Sequence, residues 1–530
     1  MTGKNLFKIA GLIAVITIIS KIIGFGRDVV TAHAYGATVV SDAYFYAYQI
    51  PALALILLGG LGGPFHTATI AVFSKGVDTS QKPSREDQSL LNSFITLTGI
   101  AFLVLTVLIF FFSDPIIRAI THGASPELQA QASMQLKIMS PVFFIGGIVG
   151  ILYGISNVYN EFLFTSLSPT IASIAVIAAI FMFSGSYGGL VLAWGTLIGA
   201  VGQLLIQLPV FFKSGFKYRP EFNFKSEKIK KIGEILFPAT IGTTVGQINI
   251  YIDMFFAAGL MAGTWSAVGY ANRIFQFPVG IIVTAMLVPL FPMFSGFVGK
   301  QDWKSLRHYF HHGLVSLWFM AFPILAFIII FSHDTIRLLL ERGEFNPKDT
   351  IMVTQALIFL SLSIIPYVAR DTLTRIFYAF DDSRTPFFVA MFSILIKAGL
   401  NLLLIKHLGI GAITLSTTAV TLVNALLLAI FIRKKINLEF GKLILPVLKI
   451  TGATLIMSAI VMLSKLYFDH VLPDTTLLLG LKLVLYTIIS CAAYFWLSIL
   501  FKIKAAEKVF DRVKSAIFKN PEKDVVISGE

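Results

Sequence analysis

The hydrophobic pattern of the chain consists of long apolar runs separated by short segments that carry Lys, Asp, Gly and Pro. A helix needs about 20 apolar residues to cross the hydrocarbon core of a bilayer, and most runs reach that length. Runs such as 101–112 and 324–331 do not alternate apolar and polar positions, as the strands of a transmembrane barrel do. The pattern therefore predicts an all-α integral membrane protein with about 14 transmembrane helices.

The predicted helices are numbered here as spans 1 to 14, with approximate boundaries. They cover residues 6–33, 39–74, 88–113, 129–156, 162–184, 187–213, 229–259, 265–296, 307–332, 350–378, 385–405, 410–433, 444–467 and 478–502. The longest polar segments are 214–228 and 503–530. Because neither is long enough for a soluble domain, we expect the function to lie within the membrane.

A faint internal repeat relates the two halves of the chain at an offset of about 220 residues. Pro51 matches Pro278, Pro169 matches Pro386, and Gly189 and Gly411 each begin a similar apolar run. Chance similarity between proline-containing helices is the alternative explanation. The repeat predicts two six-helix lobes, 1–213 and 229–433, joined by a cytoplasmic linker at 214–228, with spans 13 and 14 in 434–502 and a basic tail at 503–530.

Composition and charge agree with a membrane protein and fix its expected orientation. Charged residues make up only 13% of the chain, the mean hydropathy is +0.82 and the net charge is +14. Lys and Arg accumulate in cytoplasmic loops, and a cytoplasmic N-terminus places the basic segments 75–85, 213–231, 433–435 and 503–530 on that side. Both termini are therefore predicted to be cytoplasmic. Topology and attraction to anionic lipids explain the positive charge without a nucleic-acid partner.

Ionisable side chains inside the spans are the main candidates for function, because each costs about 2.5–3.5 kcal/mol at the centre of a membrane helix. Span 1 carries Lys21, Arg27 and Asp28, Asp42 opens span 2, and Arg273 lies in span 8. Guanidinium groups present paired donors that match phosphate oxygens. We expect Lys21, Arg27 and Arg273 to bind an anion; the alternative is that Arg27 only pairs with Asp28 or Asp42 to hold helices together.

A second buried pair is predicted between spans 7 and 11. Asp253 and Lys397 are each too costly to bury alone, so we expect them to neutralise one another, with Asn401 beside them. The pair is interpreted as a static brace or as an ion-linked switch.

Two further groups lie near the cytoplasmic ends of their spans. One is a candidate gate, for which a plain structural turn is the alternative; its members are Arg370, Asp371, Arg375, Asp381, Asp382 and Arg384. The other is His308, His311 and His312, which share a helix face. Without a nearby carboxylate or cysteine, these histidines indicate a polar interfacial face more than a metal site.

Several segments together resemble the MurJ (MviN) lipid II flippases of the multidrug/oligosaccharidyl-lipid/polysaccharide exporter superfamily. They are Ser20-Lys-Ile-Ile-Gly-Phe-Gly-Arg-Asp28, Tyr35-Gly-Ala37, Ser41-Asp-Ala43, Ile50-Pro51, Gln247-Ile-Asn249, Asp253-Met-Phe-Phe-Ala-Ala258, Tyr270-Ala-Asn-Arg-Ile-Phe-Gln-Phe-Pro278, Arg370-Asp-Thr-Leu-Thr-Arg375, Tyr378-Ala379 and Arg384-Thr-Pro386. The resemblance covers essentially the whole chain.

The resemblance implies two lobes around a cationic cavity, with spans 13 and 14 forming a groove for a polyprenyl tail. Arg27 and Arg273 take the places of the family's cavity arginines, whereas Lys21 stands where an arginine is usual. The chain departs from the family pattern in two places: apolar residues and glycines follow Pro51 in place of a pair of arginines, and Gln276 replaces an acidic residue. The glycines suggest a flexible or broken span 2, and His66 is a candidate replacement donor.

The implied function is the transfer of an undecaprenyl-pyrophosphate-linked peptidoglycan precursor from the inner to the outer leaflet of the bacterial cytoplasmic membrane by alternating access. No cofactor is expected; without a Walker loop, the membrane potential or a coupled cation is the expected source of work. Expected partners are the lipid-linked precursor, membrane lipids and cell-wall synthesis proteins. The alternatives are an exporter of another polyprenyl-linked glycan or of drugs, a membrane-embedded polyprenyl-phosphate transferase, and a non-catalytic scaffold.

Overall fold

The computed structural model describes residues 3–56, 63–74, 83–223, 226–282, 287–473 and 475–507. Throughout these residues the regular structure is helical, and no strand occurs in them. The predicted all-α fold is therefore confirmed. The glycines of 57–62, on which the predicted break of span 2 rested, lie outside the described residues, as does the predicted basic tail beyond residue 507.

The first half of the chain forms eight helices among the described residues. They are α1 (Gly3–Tyr35), α2 (Val39–Ala54), α3 (Pro64–Phe73), α4 (Arg85–Ile120), α5 (Pro126–Met139), α6 (Val142–Val158), α7 (Phe162–Tyr187) and α8 (Leu190–Lys213). Helix α4 begins where the Ser84 hydroxyl accepts a hydrogen bond from Asp87 N, and α5 begins where Ser125 accepts one from Leu128 N.

The second half forms ten further α-helices. They are α9 (Glu227–Ala258), α10 (Thr264–Ile282), α11 (Val288–Gly299), α12 (Trp303–Leu340), α13 (Pro347–Ser361), α14 (Ile364–Ala379), α15 (Arg384–Leu408), α16 (Ile410–Ile436), α17 (Ile444–Val471) and α18 (Thr476–Leu500). A short 3₁₀ helix, Phe440–Leu443, precedes α17.

Two of the predicted spans are bent pairs of helices, and they bend alike. The axes of α5 and α6 differ by 43°, and so do the axes of α13 and α14. Pro141 lies in the first break and lacks the N–H that a continuous helix needs. The two bent pairs begin at Pro126 and Pro347, an offset of about 220 residues, which agrees with the repeat seen in the sequence.

Nine helices in the described part of the chain are long and apolar enough to cross a membrane, or up to eleven if each bent pair is one span. Every predicted span overlaps at least one helix. Spans 2 and 8 include residues that the structure does not describe, so the count of fourteen stays a prediction.

The helices group into two compact units, and the chain passes between them several times. Unit 1 consists of Met1–Arg273, Leu339–Val353 and Lys397–Ile413; unit 2 consists of Ile274–Leu338, Thr354–Ile396 and Thr414–Glu530. In unit 1, α7 and α8 approach closely because glycines face small residues: a Cβ on Gly195 or Gly199 would lie 2.9 Å from a Cα of α7. In unit 2, Phe331, Met457 and Tyr486 form a core between α12, α17 and α18. The division into six-helix lobes stays a prediction.

Candidate functional site: a cationic cluster on Asp28

Two arginines from distant parts of the sequence meet at one carboxylate within unit 1. Arg27 donates to Asp28 Oδ1 from Nη2 at 3.0 Å and from Nε at 3.1 Å. Arg273 of α10 donates from Nη1 to Asp28 Oδ2. Both oxygens of Asp28 are thus engaged, and the three side chains carry a net charge of +1. The structure pairs Arg27 with Asp28 and gives Asp42 other partners.

The arginines of this cluster keep some exposure although their carboxylate is buried. The side chains of Arg27 and Arg273 are 18% and 28% exposed, against 8% for Asp28. The Arg273 guanidinium also lies 5.5 Å from the centre of the Phe45 ring, within cation–π distance. The carboxylate holds both guanidinium groups and the Phe45 ring contacts that of Arg273, while both side chains stay partly exposed.

The other two basic candidates lie apart from this cluster. Lys21 is exposed on α1 and makes no ion pair among the described residues. His66 is buried on α3, where its Nε2 lies 2.6 Å from Asn157 Nδ2 of α6. The structure therefore joins two of the predicted cations, and a role for Lys21 or His66 in anion binding stays a prediction.

Asp42 belongs to α2, and its side chain is buried against the start of α10 and not among cations. Its carboxylate accepts hydrogen bonds from Gly263 N at 2.7 Å, from Ser266 N at 2.7 Å and from Ser266 Oγ at 2.6 Å. The first backbone N–H groups of a helix have no partner within it, so Asp42 caps α10 from α2. A negative charge is also favoured at that end by the helix dipole.

A second carboxylate, Asp349, which no sequence pattern singles out, binds the turn between α1 and α2. Asp349 Oδ2 accepts from Ala37 N at 3.3 Å and from Asn346 N at 3.0 Å, while Glu344 N donates to His33 O at 2.9 Å. Gly36 has a φ of +57° and a Cβ there would meet Glu344 O at 2.5 Å. Asp42 and Asp349 with their partners are called the outer clasp, because all of these turns lie on the predicted outer side.

The expected pair between spans 7 and 11 is formed by α9 and α15. Lys397 Nζ lies 2.7 Å from Asp253 Oδ2 and also donates to Asn249 O at 3.2 Å. Asn401 Nδ2 donates to Asp253 Oδ1 at 3.5 Å. Asp253 and Lys397 are 9% and 3% exposed. The pair is neutral and buried, which fits a brace; the choice between brace and switch stays open.

The candidate gate residues divide into separate small contacts. Arg375 Nε lies 3.4 Å from Asp371 Oδ2 one turn earlier on α14, and the Arg370 guanidinium lies 4.5 Å from the Tyr367 ring centre. Arg384 is exposed at the first residue of α15. In the described part of the chain these contacts do not join the three arginines, and their role as a gate stays a prediction.

The structure also contains an ionic network that the sequence analysis missed. Within unit 2, Lys465 pairs with Asp334 and lies 3.6 Å from Asp469, which is 3.1 Å from Lys482 Nζ. The Lys482 side chain is only 1% exposed. The signal was available, since Lys465 and Lys482 both fall inside predicted spans. We call these four residues the balanced network, because they are two cations and two anions.

His311 of α12 places both ring nitrogens close to backbone carbonyl groups. His311 Nδ1 lies 2.6 Å from Arg307 O, and its Nε2 lies 2.8 Å from Glu439 O. In the described part of the chain no group of three or more His, Cys, Asp or Glu side chains is placed to hold a metal ion.

The sequence model of the family described as "Lipid II flippase MurJ" matches residues 31–487. A probable lipid II flippase MurJ of Synechocystis sp. is 32% identical over 474 residues, which is 86% of this chain and 87% of the relative. A lipid II flippase MurJ of Burkholderia cenocepacia is 25% identical, covering 81% of this chain and 84% of the relative. Lys21, Arg27 and Asp28 precede the matched range, whereas Asp42, Asp253, Arg273 and Lys397 lie within it.

Solved structures give the same relationship. A structure described as "Lipid II flippase MurJ, inward closed conformation" has a TM-score of 0.77 at 25% identity and covers 93% of this chain and 99% of its own. An inward-facing multidrug resistance MATE family transporter of the MOP superfamily has a TM-score of 0.58 at 14% identity, covering 80% of this chain and 98% of its own. The second likeness concerns the fold alone.

Proposed function

The chain belongs to the lipid II flippase MurJ family, and from that premise we propose how its residues carry out the transport. The protein moves the undecaprenyl-pyrophosphate-linked peptidoglycan precursor from the inner to the outer leaflet by alternating access. A diphosphate and its sugars cannot cross hydrocarbon unaided, because burying unpaired charge costs far more than binding can return. The protein must therefore supply a polar path for the headgroup while the lipid tail stays in the bilayer.

The observation that carries the proposal is the excess of cations over anions at Asp28. Arg27 and Arg273 share a single carboxylate, and both side chains stay partly exposed. A diphosphate can accept the remaining N–H groups, and in doing so it neutralises the extra positive charge. Asp28 holds the two guanidinium groups ready in the absence of substrate. Arginine suits this role better than lysine because its planar fork matches paired oxygens.

The outer clasp supplies a second element of the mechanism. Asp42 and Asp349 fasten the turns that follow α1, precede α10 and precede α13, all on the predicted outer side. Opening towards the outside requires these hydrogen bonds to break together. The clasp therefore acts as an outer latch that stabilises the inward-facing state. Substrate binding at Asp28, about two turns before the end of α1 at Tyr35, is expected to weaken it.

We also propose where the protein acts and what drives it. The protein is a multi-pass protein of the bacterial inner membrane, and we place both of its termini in the cytoplasm from the distribution of Lys and Arg. It acts as a transporter and not as an enzyme. The membrane potential or a coupled cation drives it, since moving one charge through 100 mV is worth about 2.3 kcal/mol. Cell-wall synthesis proteins are its expected protein partners.

The test is a leaflet-accessibility assay for the precursor in cells depleted of their own flippase and resupplied with this chain. The wild-type chain should restore outward exposure of the precursor, whereas Arg27→Ala and Arg273→Ala should each leave it trapped inside. Arg219→Ala, in an exposed loop, is the matched control and should behave as wild type. Restored exposure with both cluster variants, at normal protein levels, would exclude the cluster from transport. A transferase would instead change the amount of precursor rather than its leaflet.

A further inference from the structure

A basic cavity lies at the start of α12, far along the chain from the Asp28 cluster. It has a volume of about 720 Å³ and is formed within unit 2 by the first turns of α12, the segment 439–449 and residues 502–504. All three segments are on the predicted cytoplasmic side. Six basic side chains line it: Lys304, Arg307, Lys442, Lys449, Lys502 and Lys504.

The lining carries a large excess of positive charge. Glu439 is the one carboxylate among the described lining residues, and it is already paired with Lys442 at 2.9 Å. That pairing lowers the pKa of Glu439, so its charge persists at neutral pH. Even so, the formal charge of the lining is +5 with neutral histidines. Like charges held together cost free energy, and an anion bound among them lowers that cost.

The backbone fixes this arrangement. Arg307 donates to Ile436 O at 3.2 Å and His311 contacts Glu439 O, which joins α12 to the segment before α17. Lys502 has a φ of +51° just beyond the end of α18. Glycine is the usual residue at such a position, and a lysine there is uncommon. The chain thus keeps a lysine where the backbone favours glycine, which points to use of its charge.

An apolar groove continues from the cavity towards the middle of the membrane. It has a volume of about 360 Å³ and lies between α12 and α17, lined from Phe322 to Ile330 and from Thr451 to Met462. Val315 lines the cavity and Phe322, seven residues later on the same face of α12, lines the groove, so the groove follows the cavity along α12. The α17 side of the groove is about 17 Å long at 1.5 Å per residue. That length matches one leaflet of a hydrocarbon core of about 30 Å.

We infer that the cavity and groove together form a binding site for an anionic glycerophospholipid of the cytoplasmic leaflet. The phosphate lies among the lysines and one acyl chain lies along α12 and α17. An acyl chain spans one leaflet, as the groove does, whereas a polyprenyl chain is several times longer. This groove shares α17 (span 13) with the predicted tail groove, but it lies between α17 and α12 and no described residue of α18 (span 14) lines it. The site does not depend on the transport reaction. A lipid bound here fastens α12 to α17.

The test uses the full-length protein in detergent with dioleoyl phosphatidylglycerol as the probe, and measures retained lipid per protein and the shift in Tm. The cavity variant is Lys442→Gln, Lys449→Gln and Lys504→Gln; it should bind the lipid at least about tenfold more weakly than wild type, since each basic residue near the surface contributes to anionic-lipid binding. The matched control is Lys230→Gln, Lys231→Gln and Lys434→Gln, which removes the same charge on the same predicted side and should bind normally. Equal weakening in both variants would overturn the site.

Three further arms identify the ligand. Dioleoyl phosphatidylcholine should give no shift in Tm. An equal shift would show that the site does not distinguish an anionic headgroup from a zwitterionic one. Inorganic phosphate alone should also give none; a full shift would make this a free-phosphate site. Undecaprenyl diphosphate should not displace phosphatidylglycerol; complete displacement would make it a substrate site instead.

A last variant tests the groove separately from the charges. Ala459 lines the groove and is exposed, so Ala459→Trp fills it without disturbing a core. The variant should retain less phosphatidylglycerol while the cavity stays intact. Val484 is exposed on α18 outside the groove, so Val484→Trp is the control and should retain the wild-type amount of phosphatidylglycerol. Normal retention by Ala459→Trp would remove the acyl chain from the groove.

Discussion

The Asp28 cluster of unit 1 and the balanced network of unit 2 are built from the same kinds of side chain, but they differ in charge. At Asp28, two arginines share one carboxylate and remain 18% and 28% exposed. In the balanced network, Lys465 and Lys482 meet Asp334 and Asp469, so the charges cancel, and Lys482 is almost completely buried. Ionic groups within membrane helices therefore serve two purposes, and charge balance distinguishes them.

The physical reason is the cost of an uncompensated charge in a poorly solvated place. A neutral pair loses stability if either partner is removed, because the other is left buried and unpaired. A cluster with an extra cation gains when an anion arrives, since the anion supplies the missing compensation. By this criterion Asp253 and Lys397 resemble the balanced network, because the pair between α9 and α15 is neutral and buried.

The largest expected effect comes from reversing one charge at Asp28. Arg273→Glu should lower the rate of precursor transfer by at least about 100-fold, because it removes charge-assisted hydrogen bonds worth about 1.5–3 kcal/mol each and adds repulsion. Arg273→Lys keeps the charge but not the fork, and should give an intermediate rate. The measurement is transfer of the precursor in proteoliposomes. A wild-type rate for Arg273→Lys would show that the guanidinium geometry is irrelevant.

The charged residues of the Asp28 cluster and of the α9–α15 pair could be predicted from the sequence, whereas the role of the outer clasp could not. Arg27, Arg273, Asp253 and Lys397 stand out because charges are rare in apolar helices. The clasp role of Asp42 could not be predicted, because it depends on which helix start the folded chain brings to it. Asp349 was missed because it lies in the polar first turn of α13, where a carboxylate is common and does not indicate a distant partner.

The helices themselves were predictable from hydrophobic runs, but their breaks were less so. The bend between α13 and α14 has no proline in the break itself, but Pro366 follows Leu362 by four residues and cannot make the hydrogen bond that a continuous helix needs there. The balanced network was missed for a different reason. Lys465 and Lys482 lie near the ends of their spans, where a lysine can reach the interface and is easily taken as a topological signal.

The next largest effect should come from breaking the buried pair of α9 and α15. Asp253→Ala leaves Lys397 buried and unpaired, and should lower the free energy of unfolding by about 3–5 kcal/mol. The double variant Asp253→Leu with Lys397→Leu should recover most of that loss, measured as Tm in detergent. If the pair is a brace, the double variant still transfers the precursor. A stable double variant without transfer would favour the switch.

A smaller loss is expected in the balanced network, because Asp469 keeps 40% of its side chain exposed. Asp469→Ala should lower the free energy of unfolding by about 1–3 kcal/mol, as expected for leaving a buried charged donor without its partner. Lys482 retains the carbonyl of Leu472 at 3.1 Å, which limits the loss. Transfer per folded protein should match wild type, measured alongside Tm. Loss of transfer at full stability would contradict the separation of braces from binding sites.

The smallest effect is expected at an ion pair whose charges also cancel but whose side chains are partly exposed. Asp382 accepts hydrogen bonds from Thr385 N and Thr385 Oγ1 and pairs with Lys435 at 3.2 Å. The backbone N–H of Thr385, with smaller contributions from its hydroxyl and from Lys435, holds the pKa of Asp382 below its ordinary value of 3.8. A lowered folded-state pKa means that the charged form stabilises the fold above that ordinary value, and that the gain is lost as the pH falls through the lowered pKa.

Asp382→Asn should therefore reduce the free energy of unfolding by about 0.2–1 kcal/mol at pH 7, as for other exposed ion pairs. The deficit relative to wild type should shrink as the pH is lowered below 3.8. Asp381→Asn is the matched control. Asp381 has a φ of +56°, which asparagine adopts readily. The Tm of this variant should therefore equal that of wild type both at pH 7 and below pH 3.8. A deficit for Asp382→Asn that does not change with pH would assign the loss to geometry rather than charge. The criterion of charge balance would then apply only where water is excluded.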